Sequence, residues 1–265
     1  MSNAKSRLKI AIAGLGVVGA EVARQVINRG DELRVATGTQ LQVVAVSARD
    51  RSVDRGVNLH GIDWYDEAPK LAERDDIDII IEMIGGSDGV ALDLARAALG
   101  SGKHLISANK AMIAHHGAEL AQLAEANDVH LLFESAVAGG IPAVKTLREG
   151  LAGNKITRVA GILNGTCNYI LTQMENEKQD YSEVFKKAQE LGFVEKDPNL
   201  DVGGIDTAHK ISILASLAFG SRINFDNVLI KGIGSISLLD IKNADALGYK
   251  VKLLGLATKS NVGIS

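Results

Sequence analysis

The sequence predicts an α/β fold, a doubly wound parallel sheet followed by a second, smaller α+β domain. Short apolar runs alternate with helical patterns from Leu8 onward, which is typical of βαβ units. A glycine-rich turn directly follows the first apolar run and opens a helix. The alternation ends near residues 141–153, so we expect one domain at 8–140 and another at 141–265.

In the first half, the apolar runs suit strands that are buried on both faces of a parallel sheet. The predicted strands are Leu8–Ala13, Leu41–Ser47, Ile77–Met83, His104–Ser107 and Val129–Phe133. The predicted helices are Val17–Arg29, Val90–Leu99 and Ala111–Ala126. The polar stretch Arg29–Gln40 is expected to be an irregular surface insertion.

The second half has longer helical patterns and fewer strand-like runs, which predicts an α+β domain. Its predicted strands are Ile156–Leu163, Val228–Lys231 and Lys250–Ala257. Its predicted helices are Tyr169–Asn176, Ser182–Leu191 and the strongly apolar Ile205–Phe219.

Composition excludes several classes of protein. The formal net charge is -3 over 265 residues, so no basic field favours nucleic acid or anionic lipid as a partner. The single cysteine, Cys167, excludes an internal disulfide framework and a cysteine-based zinc site. No apolar run is long enough to cross a membrane, and the N-terminus lacks the apolar core of a signal peptide. We therefore expect a cytoplasmic protein.

The turn after the first predicted strand reads Gly14-Leu15-Gly16-Val17-Val18-Gly19. In a Rossmann-type fold, the first glycine makes a tight turn, the second admits a pyrophosphate, and the third lets helix and strand pack closely. The helix N-terminus adds N–H donors and a positive dipole. We expect Gly14, Gly16, Val17, Val18 and Gly19 to bind a dinucleotide; the alternative is a tight turn without a ligand.

The end of the second predicted strand indicates which dinucleotide binds. NAD enzymes usually have a carboxylate here for the ribose hydroxyls, whereas this chain has Ser47 and Arg49. These residues favour the 2′-phosphate of NADP over NAD. Asp50 leaves NAD open, and a solvated Arg49 is the alternative.

Two further segments carry ionisable residues. Lys110 follows a predicted strand and opens a helix, at the edge where open sheets bind ligands. Asp206 and Lys210 are four residues apart, hence on one face of the apolar helix Ile205–Phe219. A semi-buried pair is costly, which points to chemistry, although a simple helix ion pair is the alternative.

Five segments together resemble homoserine dehydrogenase, in matching order and spacing over nearly the whole chain. They are GLGVVG at 14–19, SANKAM at 107–112, ESAVAGGIP at 134–142, GILNGTCNYIL at 161–171 and GFVEKDPNLDVGGIDTAHKISILA at 192–215. The resemblance implies reversible conversion of L-homoserine to L-aspartate 4-semialdehyde with NAD(P), in threonine, methionine and isoleucine biosynthesis. It also implies a homodimer or homotetramer whose second domain binds substrate and dimerises.

The resemblance assigns roles residue by residue. Lys210 is expected to be the catalytic acid or base, with Asp206 as its partner. The residues expected to bind substrate are Glu195, Asp201, Lys110 and Thr166; Lys110 also touches the cofactor, and Gly192 lies against its nicotinamide. A structural monovalent cation, Na⁺ or K⁺, is expected at Glu134 and at the backbone carbonyls of Val137, Gly139 and Ile141.

Members of the family continue well past a segment like 248–255, so the second domain is expected to be truncated at its C-terminus. Two alternatives remain open. One is a cofactor-binding assembly protein without catalysis, and the other is a dehydrogenase for another amino-acid aldehyde. The glycine turn is common to all three functions.

Overall fold

The computed structural model describes residues 6–193, 198–260 and 264. Contacts divide the chain into two compact units, Met1–Ile141 and Pro142–Ser265, and each is described by itself. No helix in the described part of the chain is both long and apolar enough to cross a membrane.

The first unit contains a six-stranded parallel sheet with strand order β3-β2-β1-β4-β5-β6. The strands are β1 (Arg7–Ala13), β2 (Gln40–Ser47), β3 (Asp63–Tyr65), β4 (Ile79–Glu82), β5 (His104–Ser107) and β6 (Leu131–Leu132). The helices are α1 (Val17–Asn28), α2 (Gly30–Thr37), α3 (Val90–Gly100) and α4 (Lys110–Ala126), with 3₁₀ turns at Ala68–Glu73 and Glu134–Ala136. This is the Rossmann strand order, and the predicted fold class is confirmed.

The chain order reverses between β1 and β4, which makes the carboxyl ends of these strands the switch point of the sheet. Ile10, Ile12 and Ile81 are buried in these central strands and pack with Val43 and Val46 of β2. The apolar runs that predicted the strands thus form the centre of the core, and the loops at the carboxyl edge are held by rigid strands.

The stretch Arg29–Gln40 was expected to be irregular, and this prediction is wrong. Residues Gly30–Thr37 form α2, although none of its residues is buried. Ion pairs between Arg29 and Glu32 at 2.7 Å and between Arg34 and Asp31 at 3.8 Å lie along this exposed helix. Its large apolar residues are only Leu33 and Val35, too few to give the periodicity that predicts a helix.

The second unit has a two-stranded antiparallel sheet, β7 (Arg158–Gly161) with β8 (Gly255–Thr258). Its helices are α5 (Ala143–Lys145), α6 (Gly165–Glu177), α7 (Tyr181–Glu190), α8 (Pro198–Val202), α9 (Ile205–Phe219) and α10 (Leu238–Ala246). A π-helical turn at Thr146–Gly150 and a 3₁₀ turn at Phe225–Asn227 complete it. One core cluster centres on α6 and α7, with Ile170, Leu171 and Met174 fully or almost fully buried.

Two strand predictions in this unit need correction. Val228–Lys231 is not a strand, because no described strand pairs with this apolar run. Leu229 within it is almost wholly exposed. Of Lys250–Ala257, only the end belongs to β8. Upstream, the backbone of Leu253 pairs with a side chain instead: its N–H donates to Asn168 Oδ1 at 3.0 Å and its carbonyl accepts from Asn168 Nδ2 at 3.2 Å.

Candidate functional site

The glycine-rich turn at the carboxyl end of β1 is shaped by steric limits. Gly14 has φ +92°, and a Cβ there would lie 2.5 Å from the carbonyl oxygen of Met83. A Cβ on Gly19 would lie 1.8 Å from the carbonyl oxygen of Gly14. A Cβ on Gly16 would meet nothing within 4 Å, so open space lies above the turn. This geometry fits a dinucleotide: two glycines are needed for close packing and the middle one leaves room for phosphate.

A cleft of about 890 Å³ opens beside this turn, lined among others by Gly14, Gly16, Arg49 and Gly85. Val17 and Val18 stand exposed at the start of α1, where the first-turn N–H groups lack helical partners. The cleft therefore brings Gly14, Gly16 and Arg49 together, with Val17 and Val18 at the adjoining helix start, while Lys110 is not among its described lining residues. Its shape and donors suit an elongated anion at a helix N-terminus.

At the far side of the cleft, Arg49 is exposed and makes no hydrogen bond or ion pair with any described residue. The carboxylate of Asp50 accepts from the side chain of Ser52 at 2.6 Å and from its backbone N–H at 2.8 Å. These bonds lower the pKa of Asp50 and engage one oxygen of its carboxylate, although Asp50 also lines the cleft. The exposed guanidinium of Arg49 is suited to an anionic group and the carboxylate of Asp50 to ribose hydroxyls.

Arg55 also lines this cleft and was missed by the sequence analysis. Its guanidinium donates to the carbonyls of Leu15 at 3.1 Å, Val53 at 2.8 Å and Asp50 at 2.5 Å. These three bonds tie the loop after β2 to the glycine turn. Leu15 is 40 residues away in sequence, so no local pattern could have indicated this role.

Glu82, at the carboxyl end of β4, is the second residue that was missed. It is fully buried, and its carboxylate accepts from the N–H groups of Ile84 at 2.7 Å and Gly85 at 3.1 Å and from the hydroxyl of Ser107 at 2.5 Å. Lys110 begins α4 directly after this cluster, where Asn109 caps the helix through the Met112 N–H. The predicted position of Lys110, at the carboxyl edge of a parallel strand, is observed.

The second unit joins Asp206 and Lys210 in an ion pair on α9. Lys210 Nζ lies 2.8 Å from Asp206 Oδ2 and donates to the Leu163 carbonyl at 2.7 Å. The Asp206 side chain is only 6% exposed and that of Lys210 only 18%, so the pair is largely shielded from solvent. This burial distinguishes the pair from an ordinary ion pair on a helix surface, which contributes little to stability.

Asn164 links this pair to Asp201 and was not singled out from the sequence. Its Nδ2 donates to Asp201 Oδ1 and to Asp206 Oδ2, each at 2.9 Å, and all three side chains are buried. Its Oδ1 accepts from the Cys167 N–H at 2.8 Å and so caps α6. An asparagine just before a helix predicts such a cap, but no local pattern predicts that its amide also bonds to the carboxylates of Asp201 and Asp206.

The remaining predicted substrate and cofactor residues of this unit are Thr166, Gly192 and Glu195. Thr166 lies in the first turn of α6 rather than in a loop, and its hydroxyl donates to the Phe193 carbonyl at 3.0 Å. Gly192 has φ +75° and follows the last turn of α7, a position that glycine favours for backbone reasons alone. Glu195 lies outside the described residues.

The predicted cation residues follow one another at the end of the first unit. Glu134 begins a 3₁₀ turn and is half-buried, Val137 is buried, and the Ile141 N–H donates to the Ala138 carbonyl at 2.9 Å, leaving Gly139 exposed in the turn. Among the described residues, no group of three or more His, Cys, Asp or Glu could hold a metal. The donors here are therefore a carboxylate and backbone oxygens, which suit a hard cation.

Two other features of the second unit have no predicted role. Cys167 is fully buried, and its burial, with Asp201 and Asp206 nearby, raises the pKa of its thiol to about 12. It is therefore a packing residue. A mainly apolar cleft of about 940 Å³ beside α9 includes none of the predicted site residues among its described lining.

Comparisons with known proteins agree with this division. The family model of the homoserine dehydrogenase NAD-binding domain matches residues 14–134, and that of homoserine dehydrogenase matches residues 142–265. The Corynebacterium glutamicum homoserine dehydrogenase is 44% identical over 96% of this chain and 57% of its own length. The Neisseria gonorrhoeae enzyme is 40% identical over 97% of this chain and 59% of its own. The chain thus spans about three-fifths of the curated relatives it matches.

Solved structures give the same result. A homoserine dehydrogenase from Thiobacillus denitrificans superposes with a TM-score of 0.92 at 37% identity, covering 97% of this chain and 59% of that one. A mutant of a hyperthermophilic archaeal homoserine dehydrogenase in complex with NADPH superposes with a TM-score of 0.79 at 28% identity, covering 98% and 80%. With both family models matched in order on the two units, this chain belongs to the homoserine dehydrogenase family.

Proposed function

We propose that the protein containing this chain is an oxidoreductase that converts L-homoserine and L-aspartate 4-semialdehyde into each other with NAD(P). The observation that carries the proposal is the buried cluster of Lys210, Asp206, Asn164 and Asp201. Family membership supports the same activity. Homoserine carries an ammonium group, a carboxylate and a hydroxyl, so its recognition requires groups of both charges.

In this proposal Lys210 exchanges a proton with the substrate hydroxyl. Asp206 orients Nζ from one side and the Leu163 carbonyl from another, which leaves the third ammonium proton for the substrate. Asp201 and Glu195 bind the substrate ammonium group, and Thr166 contributes a hydroxyl. Each of these groups binds or orients the reacting molecule, and Lys210 alone moves a proton.

NADP is the proposed cofactor, in preference to NAD. When bound, it supplies the hydride chemistry. The glycine turn would hold its pyrophosphate and Arg49 its 2′-phosphate, while Lys110 and Gly192 would contact its reactive end. The open space at Gly16 and the uncommitted guanidinium of Arg49 support this arrangement.

A Na⁺ or K⁺ ion is proposed at Glu134 and the carbonyls of Val137, Gly139 and Ile141. The donor set supports it, since one carboxylate and neutral carbonyls suit a weakly bound monovalent ion. The ion would stabilise the turn at the end of the first unit. A homodimer or homotetramer is the proposed assembly, which light scattering on the purified protein would test.

The central experiment is the reduction of NADP on addition of L-homoserine to the full-length protein. Turnover with homoserine supports the proposal. Cofactor binding without turnover would favour the non-catalytic alternative, and turnover only with a different amino alcohol would favour a dehydrogenase for another aldehyde. If the protein is instead a dehydrogenase for another aldehyde, the acidic segment 192–204 has no role in binding its substrate. Asp201→Asn would then leave turnover of that substrate unchanged.

A further inference from the structure

Glu82 occupies the switch point of the first unit's sheet. It is the last residue of β4, and in register it lies beside Ala13 of β1 and Ser107 of β5. Its side chain is fully buried. An ionised carboxylate in such a position is costly unless donors surround it, so its presence requires an explanation.

The hydrogen bonds around Glu82 are of the kind that favours an ionised carboxylate. Two backbone N–H groups, of Ile84 and Gly85, donate to Oε1. The Ser107 hydroxyl donates to Oε2 and accepts from the Asn109 N–H at 3.0 Å. All three partners donate, which is the arrangement of a carboxylate that carries no proton. No lysine, arginine or histidine among the described residues forms an ion pair with it.

These bonds connect two loops that border the carboxyl edge of the sheet. Gly85 lines the same cleft as Gly14 and Gly16. On the other side, Ser107 and Asn109 lead directly into Lys110 at the start of α4. The amide of Asn109 also donates to the Gly86 carbonyl at 2.6 Å, so the two loops are joined twice. Loss of the Glu82 carboxylate would remove one of these two links and leave the Asn109 to Gly86 bond.

We propose that Glu82 is a positioning residue that fixes these two loops around the nicotinamide end of the cofactor and favours the oxidised form. The proposal rests on the proposed function. The oxidised nicotinamide ring carries a positive charge and the reduced ring does not. A buried anion without a charged partner, below the edge where the ring binds, stabilises the charged ring selectively because the interior screens charge poorly.

The test measures the affinities of NADP⁺ and NADPH separately, by calorimetric titration without homoserine. Glu82→Gln keeps the shape and removes the charge, so NADP⁺ affinity should fall about fivefold more than NADPH affinity. Ser107→Ala keeps the charge and loosens one loop, so both forms should weaken in equal proportion. Glu125→Gln, an exposed change of the same charge on α4, should leave the ratio of affinities unchanged.

A folded Glu82→Gln protein with the parental ratio of the two affinities would overturn the proposal. If that variant does not fold, Glu82→Asp replaces it: the shorter side chain cannot reach both loops, so parental affinity for both forms would overturn the proposal equally. Failure of the proposed function is distinguishable, since the parent protein would then fail to bind either cofactor form or would bind both without oxidising homoserine.

Discussion

The side-chain nitrogen of Asn164 lies 2.9 Å from Oδ2 of Asp206, the same carboxylate oxygen that pairs with Lys210. The same nitrogen of Asn164 also donates to Asp201, so one neutral amide donates to two buried carboxylates. Without it, the two acids would lie close together and lose the donor that they share. Asn164 therefore makes the close placement of two like charges tolerable.

Asn164→Asp isolates this contribution. An aspartate still caps α6, because it keeps the oxygen that accepts from Cys167 N–H. It loses both donors and adds a third acid, so the unfolding free energy should fall by about 2 to 3 kcal/mol. Homoserine binding should also weaken. Chemical denaturation measures the first effect. The control is Asn58→Asp, an exposed loop change whose oxygen still accepts from the His60 N–H, and it should stay within about 0.5 kcal/mol.

Gly14 and Gly16 should respond differently to alanine. Gly14→Ala meets the Met83 carbonyl and a φ of +92°, so it should destabilise the fold by about 1 to 3 kcal/mol. Gly16 has φ -71° and open space around it, so Gly16→Ala should melt at the parental temperature. It should nevertheless bind NADPH about tenfold more weakly, because the new methyl occupies the phosphate space. Parental NADPH affinity in Gly16→Ala would show that this space holds no phosphate.

Local sequence patterns predicted the features that depend on neighbouring residues, and they missed the features that depend on residues far apart in the chain. The helix Ile205–Phe219 was predicted to the residue because its apolar side chains set its length, and the spacing of Asp206 and Lys210 then placed them on one face. Asn164 bonds across 42 residues and Glu82 across 25, and neither distance leaves a local pattern. Glu82 was moreover hidden inside an apolar run, where an acid looked like an exception to the strand pattern.

Arg49 should distinguish the two cofactors. Arg49→Ala removes a guanidinium that no described residue engages, so NADP affinity should fall about tenfold while NAD affinity changes little. Arg51→Ala is the matched control, since that guanidinium lies 5.9 Å from the Trp64 ring centroid and does not line the cleft. Competition titrations with both cofactors measure the effect. Equal loss for NAD and NADP, or a native preference for NAD, would contradict the prediction.

If the proposed monovalent cation is bound, the protein should be insensitive to transition-metal chelators. Dialysis against such a chelator should leave activity intact, because the donors near Glu134 are oxygens without a cysteine or histidine cluster. Replacing Na⁺ and K⁺ by a large organic cation should instead lower the melting temperature, and Glu134→Gln should abolish that dependence. Activity that is lost on chelation and restored by zinc would show that the assignment is wrong.

Lys210 is the residue on which the proposed activity depends most. If it transfers the proton, Lys210→Ala should lower turnover about 10²-fold or more while NADP affinity stays nearly unchanged. Glu195→Gln should act mainly by weakening homoserine binding. Lys259→Ala is the control, because that lysine also bonds to α9, through the Phe219 carbonyl at 3.0 Å, but is itself exposed and follows β8.

The alternative for Lys210 is a helix ion pair with no chemical role. Because Asp206 is buried, loss of its partner would then lower the melting temperature and leave turnover per folded molecule near normal. Thermal melts and kinetics on the same Lys210→Ala sample separate the two cases, since only proton transfer predicts a turnover loss larger than the loss of folded protein. If the variant folds, binds NADP and oxidises homoserine close to the parental rate, the proton must move through another group, and Lys110 becomes the residue to test.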